Sequence, residues 1–139
     1  MSQRAVLMSI KPKVADLIFA GTKTIELCRV CPKVGPGDLV LVYVYSPRMA
    51  LVGGFEVAGI VTGDPLTLCK KWQTQSGVDK EMFLHYFQGT TTAYGILIGR
   101  TWQFESATEL KALRRRKGGF HPPQSYRYVE GEELVKLMD

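Results

Sequence analysis

The chain is 139 residues long, the size of one domain with one core. With 45% hydrophobic and 22% charged residues it is not a disordered chain, and no apolar run approaches the roughly 20 residues of a membrane span. Its net charge of +5, from 18 Lys and Arg against 13 Asp and Glu, fits a polyanionic partner such as RNA, and fits equally a basic surface without a function.

Residues Ala5 to Ile10 read as a short apolar strand. Pro12 suits the first turn of a helix, Val14, Leu17 and Ile18 follow helical spacing, and Gly21 stands at its end. Thr24 to Val30 reads as a second strand, and Pro32 to Asp38 as a turn cluster. Leu39 to Tyr45 is a β-branched and aromatic run, expected to be a buried strand, broken by Ser46-Pro47-Arg48. Leu51 to Val61 is a further strand, with Gly53-Gly54 marking a bulge or a close backbone approach. Asp64 and Pro65 have the chemistry of an N-cap and a first helical residue, opening a helix through Trp72, and Asp79 caps another from Lys80 to Phe87. Thr91 to Phe104 is a long strand or a bent pair. Ser106 is expected to cap a helix running to Arg116, ended by Gly118-Gly119. Tyr126 to Val129 is a short extended piece, and Gly131 to Met138 a helical turn or two.

Short, glycine-punctuated strands dominate, with no internal repeat, no linker and no Rossmann-type alternation. The expected fold is α+β, one domain over residues 1–139: a small, partly open mixed β-barrel with helices over the barrel opening. Met1 to Val6 is too short an apolar stretch for a signal segment, so a cytoplasmic protein is expected.

The three cysteines, an odd number, are expected to be reduced. Cys28-Arg29-Val30-Cys31 has a C-x-x-C spacing, but it lies in an extended segment ending at Pro32 instead of opening a helix. Cys69, His85 and His121 supply no paired metal-ligand spacing. Neither metal nor redox chemistry is expected, no cofactor is implied, and structural cysteine is the preferred role.

The most informative run is Gly21-Thr22-Lys23-Thr24-Ile25-Glu26. In a regular strand, residues three apart point to opposite faces. Lys23 and Glu26 therefore converge only if Gly21 to Thr24 is a loop that aims the lysine back toward the strand. A loop lysine beside a strand carboxylate is a candidate polar site for a small ligand.

With Ser9-Ile10-Lys11-Pro12 before it, Gly37-Asp38 and Tyr45-Ser46-Pro47 after it, this run resembles the ASCH domain of the PUA-like superfamily. Pro122-Pro123-Gln124-Ser125-Tyr126 is similar to the tail of the bacterial and prophage branch. The resemblance implies a PUA-like mixed β-barrel, a cleft lined by these motifs, and RNA-related roles: RNA or nucleotide binding, and in some members hydrolysis. One small bacterial group deacetylates acetylcytidine. It uses a lysine at the position of Lys23, a threonine at that of Glu26, and a glutamate in the helical region. Here Glu26 replaces the threonine, and Gln75 and Glu81 are poor matches for the helical glutamate. The usual family arginine two residues after Glu26 is Cys28, and the adjacent Arg29 would point to the other face of a regular strand.

The ligand-binding candidates are therefore Ser9, Lys11, Lys23, Thr24, Glu26, Tyr45, Ser46 and Arg48. A structural ion pair is as good a reading of Lys23 and Glu26 as ligand binding, and catalysis by them, relevant only if the protein is an enzyme, ranks below both. Tyr45 suits base stacking and Arg48 a phosphate or carboxylate fork, against a core tyrosine and a surface arginine. Lys111, Arg114 and Arg115 share one side of a helix and are the nucleic-acid candidates, against the commoner reading of cations complementing a helix C-terminus. His121, Gln124 and Ser125 are placed to fold over the cleft; His85, Trp72 and Trp102 read as structural. Three functions stay open: an RNA- or nucleotide-binding module, a small hydrolase acting on a modified nucleoside or RNA, and a mobile-element interaction protein. Oligomeric state is not legible.

Overall fold

A computed structural model describes residues 4–138 of the chain. Residues 1–3, part of the N-terminal stretch weighed above as a signal segment, and Asp139 lie outside the described residues. The elements in chain order are β1 (Arg4–Ile10), α1 (Pro12–Phe19), β2 (Ile25–Cys28), β3 (Leu39–Val44), β4 (Ala50–Gly63), α2 (Pro65–Ser76), α3 (Lys80–Tyr86), β5 (Ala93–Glu109), α4 (Leu110–Arg116), β6 (Tyr126–Glu130) and α5 (Gly131–Met138). No described helix is long and apolar enough to cross a membrane.

The fold is α+β, built on one mixed six-stranded sheet in the order β2-β5-β4-β3-β1-β6. β1 and β3 pair in parallel; the other neighbours are antiparallel. β4 and β5 carry register shifts after Leu51, Phe55 and Val57, and bulges of this kind bend a strand and increase its twist. The sheet stays open, with β2 and β6 as its edges, so the expected barrel is not closed.

Strand alternation builds the core on both faces. Val6, Met8 and Ile10 of β1 join Val40, Val42 and Val44 of β3 on one face, which is covered by Ala15 and Ile18 of α1. Ala5, Leu7, Leu41 and Tyr43 point to the other face, where α4 and α5 bring Leu110, Leu113, Leu134 and Leu137. A third cluster holds α2 and α3 against β2 and β5 through Ile25, Leu68, Phe83 and Phe87. Phe83 and Phe87 are fully buried, each contributing about 2 kcal/mol of apolar burial. They fix α3 from within and leave Tyr86, between them in the helical turn, facing outward.

The caps read from sequence are present: Asp64 accepts from Thr67 N at 3.0 Å and Asp79 from Met82 N at 2.8 Å. A Cβ on Gly53 would meet the Trp102 carbonyl at 2.1 Å, so the glycine pair marks a close backbone approach. One expectation is overturned. Ser106 does not cap a helix, because the chain stays in β5 to Glu109, where Thr108 and Glu109 pair with Leu51 and Ala50. Pairing with the start of β4 overrides the local cap signal, and α4 begins at Leu110, whose N–H donates to Met49 O at 3.0 Å. The helix through Trp72 continues to Ser76, and β2 spans Ile25–Cys28, shorter than the expected strand from Thr24 to Val30.

Candidate functional site

The link from α1 to β2 is a tight loop. Gly21 takes φ +81°, a left-handed conformation that glycine adopts without steric cost. Thr22 N and Lys23 N both donate to Leu17 O at 3.0 Å. Thr24 N donates to Gln75 O at 2.9 Å, and Thr24 O accepts from Ile98 N at 2.9 Å. These bonds turn the Lys23 side chain inward, leaving the residue 5% exposed.

Lys23 Nζ donates to the Ser76 carbonyl at 2.6 Å. Ser76 is the last residue of α2, so the ammonium meets a carbonyl that the helix leaves unpaired. The same Nζ lies 3.8 Å from Glu26 Oε2, a long ion pair. Glu26 is the second residue of β2, and its Oε2 is buried with no hydrogen-bond partner among the described residues. Burial pushes the Glu26 carboxyl above the usual carboxylate range, and the Lys23 charge opposes this. Burial likewise lowers Lys23, with Glu26 opposing. The two charges compensate each other incompletely.

This pair lines a cavity of about 290 Å³. Ser9, Lys11, Tyr45 and Tyr86 line it with the pair, and Ile10, Val14, Leu27, Val78 and Met82 form its apolar wall. An adjoining recess of about 520 Å³ shares Ser9, Glu26, Leu27, Tyr45 and Tyr86, and adds Cys28, Arg29, Gln124, Ser125 and Tyr126 among others. A third recess of about 320 Å³ shares Ser9 and Tyr45 and is bounded by Tyr43, Ser46, Met49, Leu110 and the segment Pro122 to Gln124. Ser9 and Tyr45 thus form the ridge common to all three. Ser9 is fixed there: its N–H donates to Ser125 O at 3.0 Å and its hydroxyl to Pro123 O at 2.6 Å. The Tyr86 hydroxyl donates to Leu27 O at 3.3 Å.

The structure brings Ser9, Lys11, Lys23, Glu26 and Tyr45 to one cavity. Ser46 does not join them; it lines the third recess, beyond Tyr45. Thr24 is exposed and lines none of these spaces, its backbone being used to hold the loop. Arg48 is exposed and lies 3.7 Å from Glu109 instead of lining the cavity. Lys111, Arg114 and Arg115 are exposed on α4, whose first residue, Leu110, borders the third recess. Burial raises the Tyr43 phenol, which lines that recess, and the Arg114 charge opposes the shift. Gln124 and Ser125 do border the cleft; the His121 ring lies 3.3 Å from Gly119 O instead.

Burial pushes the Cys28 and Cys31 thiols upward, so both are poor nucleophiles, and all three cysteines are free. The described residues hold no cluster of three or more His, Cys, Asp or Glu suited to a metal ion. Sequence reasoning missed Tyr86, Met82, Val78 and Ser76. The first two sit on α3, and only the docking of α3 against β2 brings them to the cavity, a long-range contact without a local signal.

The architecture agrees with the comparisons. Residues 8–117 match the ASCH domain. This chain belongs to the ASCH domain family. The matched span ends beyond α4, so the Gln124 and Ser125 side of the cleft lies outside it. The chain is 28% identical over 136 residues to an ASCH domain-containing ribonuclease of Zymomonas mobilis, covering 98% of this chain and 91% of that one. It superposes on the crystal structure of ASCH from Zymomonas mobilis with a TM-score of 0.89 at 27% identity, covering 96% of this chain and 93% of the other. Crystal structures of a tyrosine-to-phenylalanine and a serine-to-alanine variant of the Zymomonas protein superpose with TM-scores of 0.89 and 0.88, both at 26% identity. They cover 96% of this chain in each case, and 96% and 94% of the variant chains. The N-terminal domain of Staphylothermus marinus McrB shares the fold at a TM-score of 0.61 and 8% identity, covering 96% of this chain and 92% of that one.

Proposed function

We propose that this ASCH domain binds single-stranded RNA, with one base in the cavity between Glu26, Tyr45 and Tyr86 and the backbone running over the third recess toward α4. The observation that carries this reading is the continuity of the cleft. Aromatic side chains half-open to solvent, Tyr45 at 36% and Tyr86 at 43%, stand at the cavity wall; the exposed Lys11 lines the cavity and the exposed Arg29 the adjoining recess, and the Arg114 charge acts on Tyr43, which lines the third. Base–aromatic stacking contributes about 1–3 kcal/mol per base, and it requires an unpaired base. The two cavities match the scale of small-ligand sites, about 300–1,000 Å³.

RNA cleavage is the second reading, favoured by the ribonuclease to which the chain is similar over nearly its whole length. The two Zymomonas variants each remove one hydroxyl, a tyrosine's in one and a serine's in the other. Tyr45 and Ser125 border the same recess here, and their hydroxyls are suited to donate to phosphate oxygens while a ribose 2′-hydroxyl attacks phosphorus and gives its proton to water, and the 5′-oxygen leaves with a proton from water, giving a 2′,3′-cyclic phosphate and a 5′-hydroxyl. Lys23 is spent on the Ser76 carbonyl, so the Lys23–Glu26 pair is better suited to hold a base than to attack. Deacetylation of a modified nucleoside is the weaker alternative, since Glu26 stands where that group carries threonine.

The test is fluorescence anisotropy with a labelled single-stranded RNA, the matching duplex and the matching DNA, followed by electrophoresis of the RNA. Preference for the single strand supports the reading, and shortened products support cleavage. Equal affinity for the duplex, or no binding at low salt, removes it.

A further inference from the structure

An ionised carboxylate accepts hydrogen bonds and donates none. Glu26 holds such a group in the wall of a cavity whose lining is otherwise mostly apolar or aromatic. Its Oε2 has no hydrogen-bond partner among the described residues, while Lys23 directs its short bond, 2.6 Å, to Ser76. The Glu26 side chain keeps 20% of its surface open, and both cavities that it lines meet there. The last torsion of a glutamate is broad and roughly two-fold, so the carboxylate can turn both oxygens toward a pair of donors.

The four bases differ in what they offer. Guanine presents N1–H and the N2 amino group side by side. Adenine and cytosine present one amino group beside a bare ring nitrogen, whose lone pair would face the second carboxylate oxygen. Uracil presents one N–H between two carbonyls. Only guanine gives both oxygens of Glu26 a donor and places no acceptor against them.

We propose that the cavity selects guanine, with Glu26 accepting from N1–H and the N2 amino group and a tyrosine of the wall, Tyr45 or Tyr86, stacking on the ring. The assignment rests on the RNA-binding reading above and names the base that reading leaves open. Lys11, exposed at the rim, complements the phosphate of the same nucleotide.

The experiment titrates the full chain with the 5′-monophosphates of guanosine, inosine, adenosine, cytidine and uridine. It then compares an all-uridine RNA with the same RNA carrying one central guanosine. Guanosine monophosphate should bind tightest. Inosine, which keeps N1–H but lacks the amino group, should fall between, and the other three should be about 10-fold or more weaker. The guanosine-containing RNA should exceed the all-uridine RNA by a similar factor, and Glu26→Gln should erase that gap. The inosine comparison uses the unaltered protein, so it stands even if the variant fails to fold. Equal binding of the two RNAs overturns the guanine assignment and leaves RNA binding intact, as does preference for adenosine or cytidine. Loss of both RNAs with guanosine monophosphate still favoured overturns the RNA reading and supports the role of Glu26.

Discussion

Lys23 Nζ lies 3.8 Å from Glu26 Oε2 and 2.6 Å from the Ser76 carbonyl, so one buried ammonium joins the α1–β2 loop, the β2 edge strand and the end of α2. The arrangement is structural and polar at once: it holds three elements together and leaves a carboxylate at the cavity.

Removing the lysine should expose the cost of that carboxylate. Lys23→Met leaves Glu26 half-buried without its counter-charge and the Ser76 carbonyl without a donor. A loss of about 3 kcal/mol is expected in urea denaturation. Adding Glu26→Leu should restore at least half of it, because the unpaired charge is then gone. A Lys23→Met variant as stable as the parent would contradict the pairing.

The pH dependence follows from the direction of the Glu26 shift. Glu26 has a folded pKa above its ordinary 4.5, so the folded state holds that proton more tightly than the unfolded chain. Its contribution favours folding at low pH and is lost as pH rises from about 4.5 through the raised value. The charged or titratable groups around it are Lys23 in the loop, Cys28 on β2, Tyr86 on α3, and Tyr45 and Lys11 at the cavity. Stability measured against pH should therefore fall across that window in the parent relative to Glu26→Gln. A difference of the opposite sign would mean that the Lys23 charge outweighs burial.

RNA affinity should depend on salt through α4. If Lys111, Arg114 and Arg115 each meet one phosphate, about −0.7 per contact on a single strand gives a log–log slope near −2. Arg114→Ala with Arg115→Ala should flatten the slope without loss of stability, since both side chains are exposed. A slope indifferent to the pair would place the backbone elsewhere.

Arg127 ties β6 to α5 and to the segment that precedes β6. Its Nη1 and Nη2 donate to the two carboxylate oxygens of Glu133 at 3.0 and 2.8 Å, and its Nε donates to His121 O at 3.2 Å. The hydrogen bonds from Arg127 hold the Glu133 carboxyl below its ordinary range, so this contribution is lost as pH falls through that lowered value. Arg127→Lys removes the fork, and a loss of about 1 kcal/mol, roughly 3–5 °C in Tm, is expected at neutral pH and should shrink in acid. An unchanged Tm would contradict it.

Local chemistry made part of this legible. Strand parity made the convergence of Lys23 on Glu26 depend on a loop before β2, and Asp64-Pro65 and Asp79 announced their helices. Longer-range features had no such signal. Ser106 reads in isolation as the cap of a helix, and pairing of Thr108 and Glu109 with Leu51 and Ala50 keeps the segment extended. Ser46 follows Tyr45 directly, yet the chain turns it into a different recess. Tyr86 reaches the cavity because Phe83 and Phe87 bury themselves against β2 and β5, a packing event that no neighbouring residue encodes.

The most direct measurement is backbone amide chemical-shift mapping during titration with a short single-stranded RNA. Binding in the cleft should move the amides of Ser9, Glu26, Leu27, Tyr45 and Ser125 together, with smaller shifts at Arg114 and Arg115. Shifts confined to α4, or scattered over the sheet with the Glu26 and Tyr45 amides unmoved, would contradict a base-binding cleft.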